Sequence, residues 1–215
     1  MRRPEELGPY LYRQGEESFP LGEDTLRLAA FAPLAPRWRV CDLGCGAGAL
    51  PLLLLGREST LAVTGVELDG AQAALARANL AENGLAGEIC TGDIRRIRAL
   101  LPAGAFDLVV SNPPYFPQGT GKSGGSARME ECCTLAQVCA AAGYLLKNGG
   151  RFALVCRASR LADLVEALRG HGLEPKRMQL MQHDAHTPPR TLLLEARRQG
   201  RPGLELLPTL ITHGR

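Results

Sequence analysis

Trp38-Arg39-Val40-Cys41-Asp42-Leu43-Gly44-Cys45-Gly46-Ala47-Gly48-Ala49 runs from a strand-like segment through three alternating glycines into the apolar stretch 49–55. Strand, glycine loop and helix in that order predict the first unit of an α/β domain with a parallel sheet. A ligand would sit against the loop, at the carboxyl edge of the strands. Outward from this unit the signals keep alternating. Residues 62–67, 88–91, 106–111 and 151–156 read as strands. Residues 70–82, an Ala-rich run closed by Asn83-Gly84, read as a helix, as do 131–146, stopped by Asn148-Gly149-Gly150, and 161–168. Residues 173–182 and 190–197 read as an antiparallel edge pair around Pro188-Pro189. Before the first strand, 25–31 has helical spacing and is closed by Pro33 and Pro36.

The 215 residues suit one α/β domain with short extensions, and no linker is long enough to separate a second. Polar residues dominate the first fifteen or so positions, which read as a frayed arm. A net charge of +3 neither demands nor excludes a polyanionic partner, because a local patch matters more than the total. Seven cysteines is an odd count, and Cys41, Cys45, Cys90, Cys139 and Cys156 lie in apolar contexts. Free buried thiols in a reducing, cytoplasmic setting are expected. His183-x-x-His186 stands alone beside prolines, so no metal site is expected. The start lacks a secretory apolar stretch and the run 49–55 is too short for a bilayer, so no membrane association is expected.

Three acids fall at strand ends. Asp42 precedes the glycine loop, where a carboxylate suits a cationic amino-acid group better than a pyrophosphate. Glu67 ends the second strand, where an acid can hold both hydroxyls of a ribose. Asp93, in Thr91-Gly92-Asp93-Ile94, could accept from an adenine amino group, or could simply cap a following helix. With Gly44, Gly46 and Gly48 allowing close approach of the backbone, these acids outline S-adenosylmethionine. Cys45 inside the loop reads as a residue chosen for size.

Asn112-Pro113-Pro114-Tyr115 directly follows the strand 106–111. A planar nitrogen conjugated to a ring or carbonyl is a poor nucleophile, and its lone pair has to be aimed at the electrophile. The Asn112 side-chain oxygen and a proline carbonyl can each accept one N–H of an NH2 group, on a backbone stiffened by Pro113 and Pro114. Tyr115 can stack on a flat base. A proline-rich turn would look the same in isolation; the company of the acids and the glycine loop favours amino-group methylation.

Taken together, Asp42 to Gly48, Glu67, Asp93 and Asn112 to Tyr115 resemble the Rossmann-like, class I S-adenosylmethionine-dependent methyltransferases of the amino-methylating group. Phe19-Pro20-Leu21-Gly22-Glu23-Asp24, Tyr115-Phe116, Ala127-Arg128-Met129-Glu130, Gly150-Arg151-Phe152-Ala153-Leu154-Val155, Ser159-Arg160-Leu161, Leu173-Glu174-Pro175-Lys176-Arg177-Met178-Gln179 and Leu207-Pro208-Thr209-Leu210 are similar to the tRNA1(Val) adenine-37 N6-methyltransferase family. The chain departs from that family at Met129 and in the glycine-rich 118–125.

The resemblance implies a mostly parallel seven-stranded sheet with an antiparallel edge strand and helices on both faces. It implies an N-terminal arm over 1–17, a methyltransferase domain over 18–199 and a C-terminal tail over 200–215. It further implies methyl transfer to N6 of the adenine 3′ of a tRNA anticodon. Asn112, Pro113, Pro114 and Tyr115 would form the catalytic set, and Asn112 would also touch the cofactor. Tyr115, Phe116, Lys122 and Arg128 would meet the RNA, a base in a loop being splayed out and stacked on an aromatic ring. Arg157 and Arg160, after the fifth strand, could meet phosphates. Arg95, Arg96 and Arg98 read as a solvated helix face.

Three other activities share part of this pattern. Methylation of a glutamine amide in a release factor uses the same tetrapeptide, but that family carries a helical domain that the residues before Trp38 leave little room for. A non-catalytic S-adenosylmethionine or RNA binder would have no need to orient an amino group. A nicotinamide oxidoreductase shares the glycine spacing but is disfavoured by Asp42.

Overall fold

The computed structural model describes residues 5–15, 21–113 and 133–212. The chain opens with a hairpin of β1 (Glu5–Leu7) and β2 (Tyr10–Tyr12), followed by helix α1 (Glu23–Phe31). Alternation then begins with β3 (Arg39–Leu43), α2 (Ala49–Arg57), β4 (Ala62–Glu67), α3 (Gly70–Glu82) and β5 (Gly87–Thr91). It continues with the short α4 (Ile97–Leu100), β6 (Phe106–Ser111), α5 (Leu135–Leu145), β7 (Leu146–Arg157), α6 (Leu161–Gly170), β8 (Leu173–Gln182) and β9 (Thr191–Arg198).

The seven long strands lie in the order β5-β4-β3-β6-β7-β9-β8. β3 pairs in parallel with both β4 and β6, so the direction of winding reverses at its side. Doubly wound sheets bind their ligands outside the carboxyl ends at such a switch point. β9 runs antiparallel to β7 and β8, which is the antiparallel element expected at this edge.

Strand parity sorts the side chains into two layers. Val40, Leu108, Val110, Ala153 and Val155 pack with residues of α1, α2 and α3. Cys41, Leu43, Val109, Phe152 and Leu154 pack with α5 and α6 on the other face. The near-continuous apolar strands follow from burial on both sides. Helix α3 ends as its Asn83-Gly84 pair predicts: the Gly84 N–H reaches the Ala81 carbonyl at 3.0 Å and the Leu85 N–H the Leu80 carbonyl at 2.9 Å, with Gly84 left-handed at φ 66. These are the paired bonds of a Schellman cap.

Two expectations differ from the structure. The arm is not frayed over the described 5–15: Leu7, Tyr12 and Gln14 are buried. Asn83 accepts from the Leu11 N–H at 2.9 Å and donates to its carbonyl at 2.7 Å, and Asn79, one turn earlier on α3, does the same with Arg13 at 3.0 Å each way. Residues one helical turn apart thus pair with alternate residues of an extended strand. Within 200–215, β10 (Glu205–Leu206) and β11 (Leu210–Ile211) add in parallel to the outer edge of β8. Second, α5 starts at Leu135, behind the N-cap Thr134, and ends within a residue of the expected Leu146; Leu146 already pairs with Phe106, and Asn148-Gly149-Gly150 form an irregularity in the β6–β7 ladder instead of stopping the helix.

Asn79 is fully buried, and it also donates to the Ala47 carbonyl at 2.8 Å. Asn79→Ala leaves these backbone groups without partners, so a loss of about 2–4 kcal/mol in urea unfolding is expected, together with faster proteolysis of the N-terminal segment. A variant as stable as the parent would show that the segment is held by other contacts.

Candidate functional site

The parallel register brings the predicted cofactor residues to one edge. Asp42 lies level with Gly65 of β4 and Val110 of β6, while Glu67 lies level with Thr91 of β5. Gly44, Gly46 and Gly48 all have positive φ, at 78, 53 and 88. A Cβ added at Gly44 or Gly46 would meet nothing within 4 Å, so the loop leaves room above its backbone. Gly48 is constrained differently: a Cβ there would lie 3.1 Å from that of Ala76, which fixes how closely α2 approaches α3. The loop is tied to β4 by the Gly44 and Cys45 N–H groups, which donate to the Val66 carbonyl at 2.8 and 3.1 Å.

Cys45 fills the space over Gly65, where an added Cβ would come within 2.6 Å of its sulfur. Burial pushes the Cys45 thiol far up, which disfavours its thiolate. The size reading of this residue therefore holds.

Glu67 braces the loop. One carboxylate oxygen accepts from the Gly46 N–H at 2.8 Å and the other from the Asp69 N–H at 2.9 Å. Each oxygen keeps a lone pair for a ribose hydroxyl. Asp93 caps the 3-10 turn Ile94–Arg96 through the Arg95 N–H at 2.8 Å, so the capping reading is realised. Its carboxylate is also clasped by the Arg95 guanidinium, which holds its pKa below the usual range. Arg95 is exposed, as expected of a solvated helix face, and also reaches the Asp93 carboxylate. Arg98 lies 4.9 Å over the Tyr144 ring.

Asp42 is 1% exposed, and both its carboxylate oxygens lack a hydrogen-bond partner among the described residues. Burial, and then the nearby Glu67 charge, raise its pKa from 3.8 to about 8. An unpaired, desolvated acid beside an open glycine loop fits a ligand that carries a cationic amino group. The unpaired acid, the open glycine loop and the free lone pairs of Glu67 on this edge fit S-adenosylmethionine.

At the end of β6, Ser111 donates from its hydroxyl to the Leu43 carbonyl at 2.8 Å, locking the ends of β6 and β3 together. Asn112 is half-buried and donates from its side-chain nitrogen to the Thr25 hydroxyl oxygen on α1 at 2.9 Å. Pro113 is also half-buried. Pro114, Tyr115, Phe116, Lys122 and Arg128 lie outside the described residues. Arg160 is engaged by Asp163 at 2.9 Å. His183 and His186 flank Asp184, which accepts from the His186 and Thr187 N–H groups in a turn. The sequence reading missed Thr25, Asn79, Arg95 and Ser111; among these only the i,i+4 pair Asn79/Asn83 on an Ala-rich helix left a mark in the sequence.

An acid of raised pKa keeps a proton that the unfolded chain has already lost. The stability this group allows is complete below about pH 4 and falls as pH rises toward 8. Asp42→Asn should therefore raise the Tm of the ligand-free protein by about 10 °C or more at pH 8 and by only about 2–4 °C at pH 4.5 in scanning calorimetry. Equal shifts at both pH values would mean that Asp42 is not protonated in the fold.

Among known proteins, the Methyltransferase small domain family matches residues 25–169. A Porphyromonas gingivalis protein named tRNA1(Val) (adenine(37)-N6)-methyltransferase is 32% identical over 188 residues, covering 82% of this chain and 74% of its own. Further relatives of that name are matched over 41% to 64% of their length. In fold the chain is similar to an Agrobacterium tumefaciens protein described as a predicted O-methyltransferase, with TM-score 0.72, 23% identity and coverage of 89% and 88%. It also resembles TrmN from Thermus thermophilus, with TM-score 0.62, 23% identity and coverage of 81% of this chain and 48% of that one. The class I methyltransferase fold, the glycine loop between β3 and α2 and the family match agree, and the chain belongs to the Methyltransferase small domain family and, within it, to the tRNA1(Val) (adenine(37)-N6)-methyltransferase family.

Proposed function

We propose that this protein methylates the N6 amino group of an adenine in tRNA, at position 37 beside the anticodon, with S-adenosylmethionine as donor. The observation that carries the reading is the placement of Asn112: half-buried, at the carboxyl end of β6 and next to the switch point that Asp42 and the glycine loop border. The names of the 32% identical relative and of the Thermus neighbour support tRNA as the substrate class.

Bound S-adenosylmethionine would supply an electrophilic methyl group. Every other requirement falls on the chain. Asn112 Oδ1 accepts one N–H of the adenine amino group and the Pro113 carbonyl accepts the other, which draws the nitrogen out of conjugation and aims its lone pair. Tyr115 stacks on the extruded base, as single-stranded RNA is commonly read. No side chain of tuned basicity is required, because an amino nitrogen that has gained a methyl is strongly acidic and sheds its extra proton to water. Alignment is the main catalytic contribution.

The test is transfer of labelled methyl to total tRNA from cells lacking the protein, with nuclease digestion to locate the label. N6-methyladenosine at position 37 is expected. Label in a protein fraction and none in tRNA would move the assignment to a glutamine side-chain amide, whose planar nitrogen makes the same demand on Asn112. Asn112→Ala should lower turnover by roughly 10²–10³-fold while cofactor affinity changes only a few-fold. Unchanged turnover would remove Asn112 from the mechanism.

A further inference from the structure

We infer that Thr25, on α1, is a positioning residue that anchors the Asn112 side-chain amide at its nitrogen, with the amide oxygen left for the acceptor amino group. The inference rests on the proposed role of Asn112 and deepens it.

A primary amide presents a donor and an acceptor of nearly equal size, and a half-turn about its last bond exchanges them. For Asn112 the two orientations have opposite consequences. With Oδ1 toward the substrate, an N–H of an amino group is accepted; with Nδ2 there, two donors oppose each other. Thr25 Oγ1 receives the Nδ2 hydrogen at 2.9 Å, which turns Oδ1 away from α1.

The helix that carries Thr25 is held by elements far apart in sequence. Strand parity puts Asn112 on the layer of Leu108 and Val110, the face that α1 covers. The carboxyl end of α1 is clamped twice. Arg57, at the end of α2, donates to the Ala29 and Ala32 carbonyls, and Arg177 of β8 donates to the Phe31 carbonyl at 3.1 Å with its guanidinium 4.7 Å over the Phe31 ring. Leu28 and Ala29 are buried in the same layer. Helix α1 is therefore fixed at one end, and its first turn carries Thr25 to the end of β6.

The test uses Thr25→Val, which keeps the branched shape and removes the hydroxyl, and Thr25→Ser, which keeps the hydroxyl. Single-turnover methylation should fall about 10- to 100-fold in Thr25→Val, with tRNA KM and cofactor Kd within about two-fold of wild type, and should recover to within about three-fold in Thr25→Ser. A structural role alone would lower Tm in parallel and would not split kcat from KM. Independently of any acceptor, the Asn112 side-chain amide protons, assigned by their loss in Asn112→Ala, should exchange with water faster in Thr25→Val than in wild type or Thr25→Ser. Wild-type speed in Thr25→Val, or amide exchange identical in all three, overturns the role of Thr25. A wild-type protein that methylates no RNA overturns the functional reading instead, and the exchange measurement still decides for or against Thr25.

Discussion

Everything at the candidate site depends on the register of the parallel ladder through β4, β3 and β6. Pairing Asp42 with Gly65 and Val110 sets three strand ends level, so that the glycine loop, Glu67 and Asn112 emerge at one edge. A slip of one residue would exchange the faces of every side chain, sending Asp42 into the apolar layer of Cys41 and Leu43. The register is pinned by bonds outside the ladder as well. The Val66 carbonyl takes two loop N–H groups, and Ser111 bonds the Leu43 carbonyl across the switch point.

Around this edge the fold spends polar groups unevenly. Glu67 is satisfied on both oxygens by backbone N–H groups, and Asn79 on α3 joins the loop carbonyl of Ala47 to the N-terminal strand segment at Arg13. Asp42 is left without a partner among the described residues. A buried acid in that condition stays neutral and costs stability as pH rises, an arrangement that makes physical sense where a cationic ligand is to be received. Asp93 stands between these cases, since its carboxylate is already clasped by Arg95 and a ligand amino group would have to share it.

Much of this was legible in the sequence, for identifiable reasons. The strands over 62–67 and 106–111 have apolar runs bounded by turn residues, and Asn83-Gly84 announces a left-handed helix stop; these are local signals, and the structure follows them. The glycine loop and the acids at strand ends were readable because topology fixes where loops after parallel strands must lie. What escaped depends on contacts distant in sequence or on weak edges. Thr25 and Asn112 are 87 positions apart, and no spacing rule joins them. The docking of Leu11 and Arg13 on α3 arises from side-chain amides reading an extended backbone, which polar composition disguised as fraying. The two-residue strands β10 and β11 are too short to show alternation, and Leu206 and Ile211 stay exposed. The expected RNA-facing residues Tyr115, Phe116, Lys122 and Arg128 lie in 114–132, outside the described structure.

This strand edge reads as a prepared S-adenosylmethionine site in which a neutral Asp42 awaits a cationic amino group. Calorimetric titration of S-adenosylmethionine at pH 7, in two buffers of different ionisation enthalpy, tests it most directly. An acid with a pKa of about 8 is mostly protonated at that pH and would be driven to ionise by the ammonium, so release of most of one proton per cofactor is expected, and Asp42→Asn should abolish it. Binding heats independent of buffer in the wild-type protein would contradict the claim.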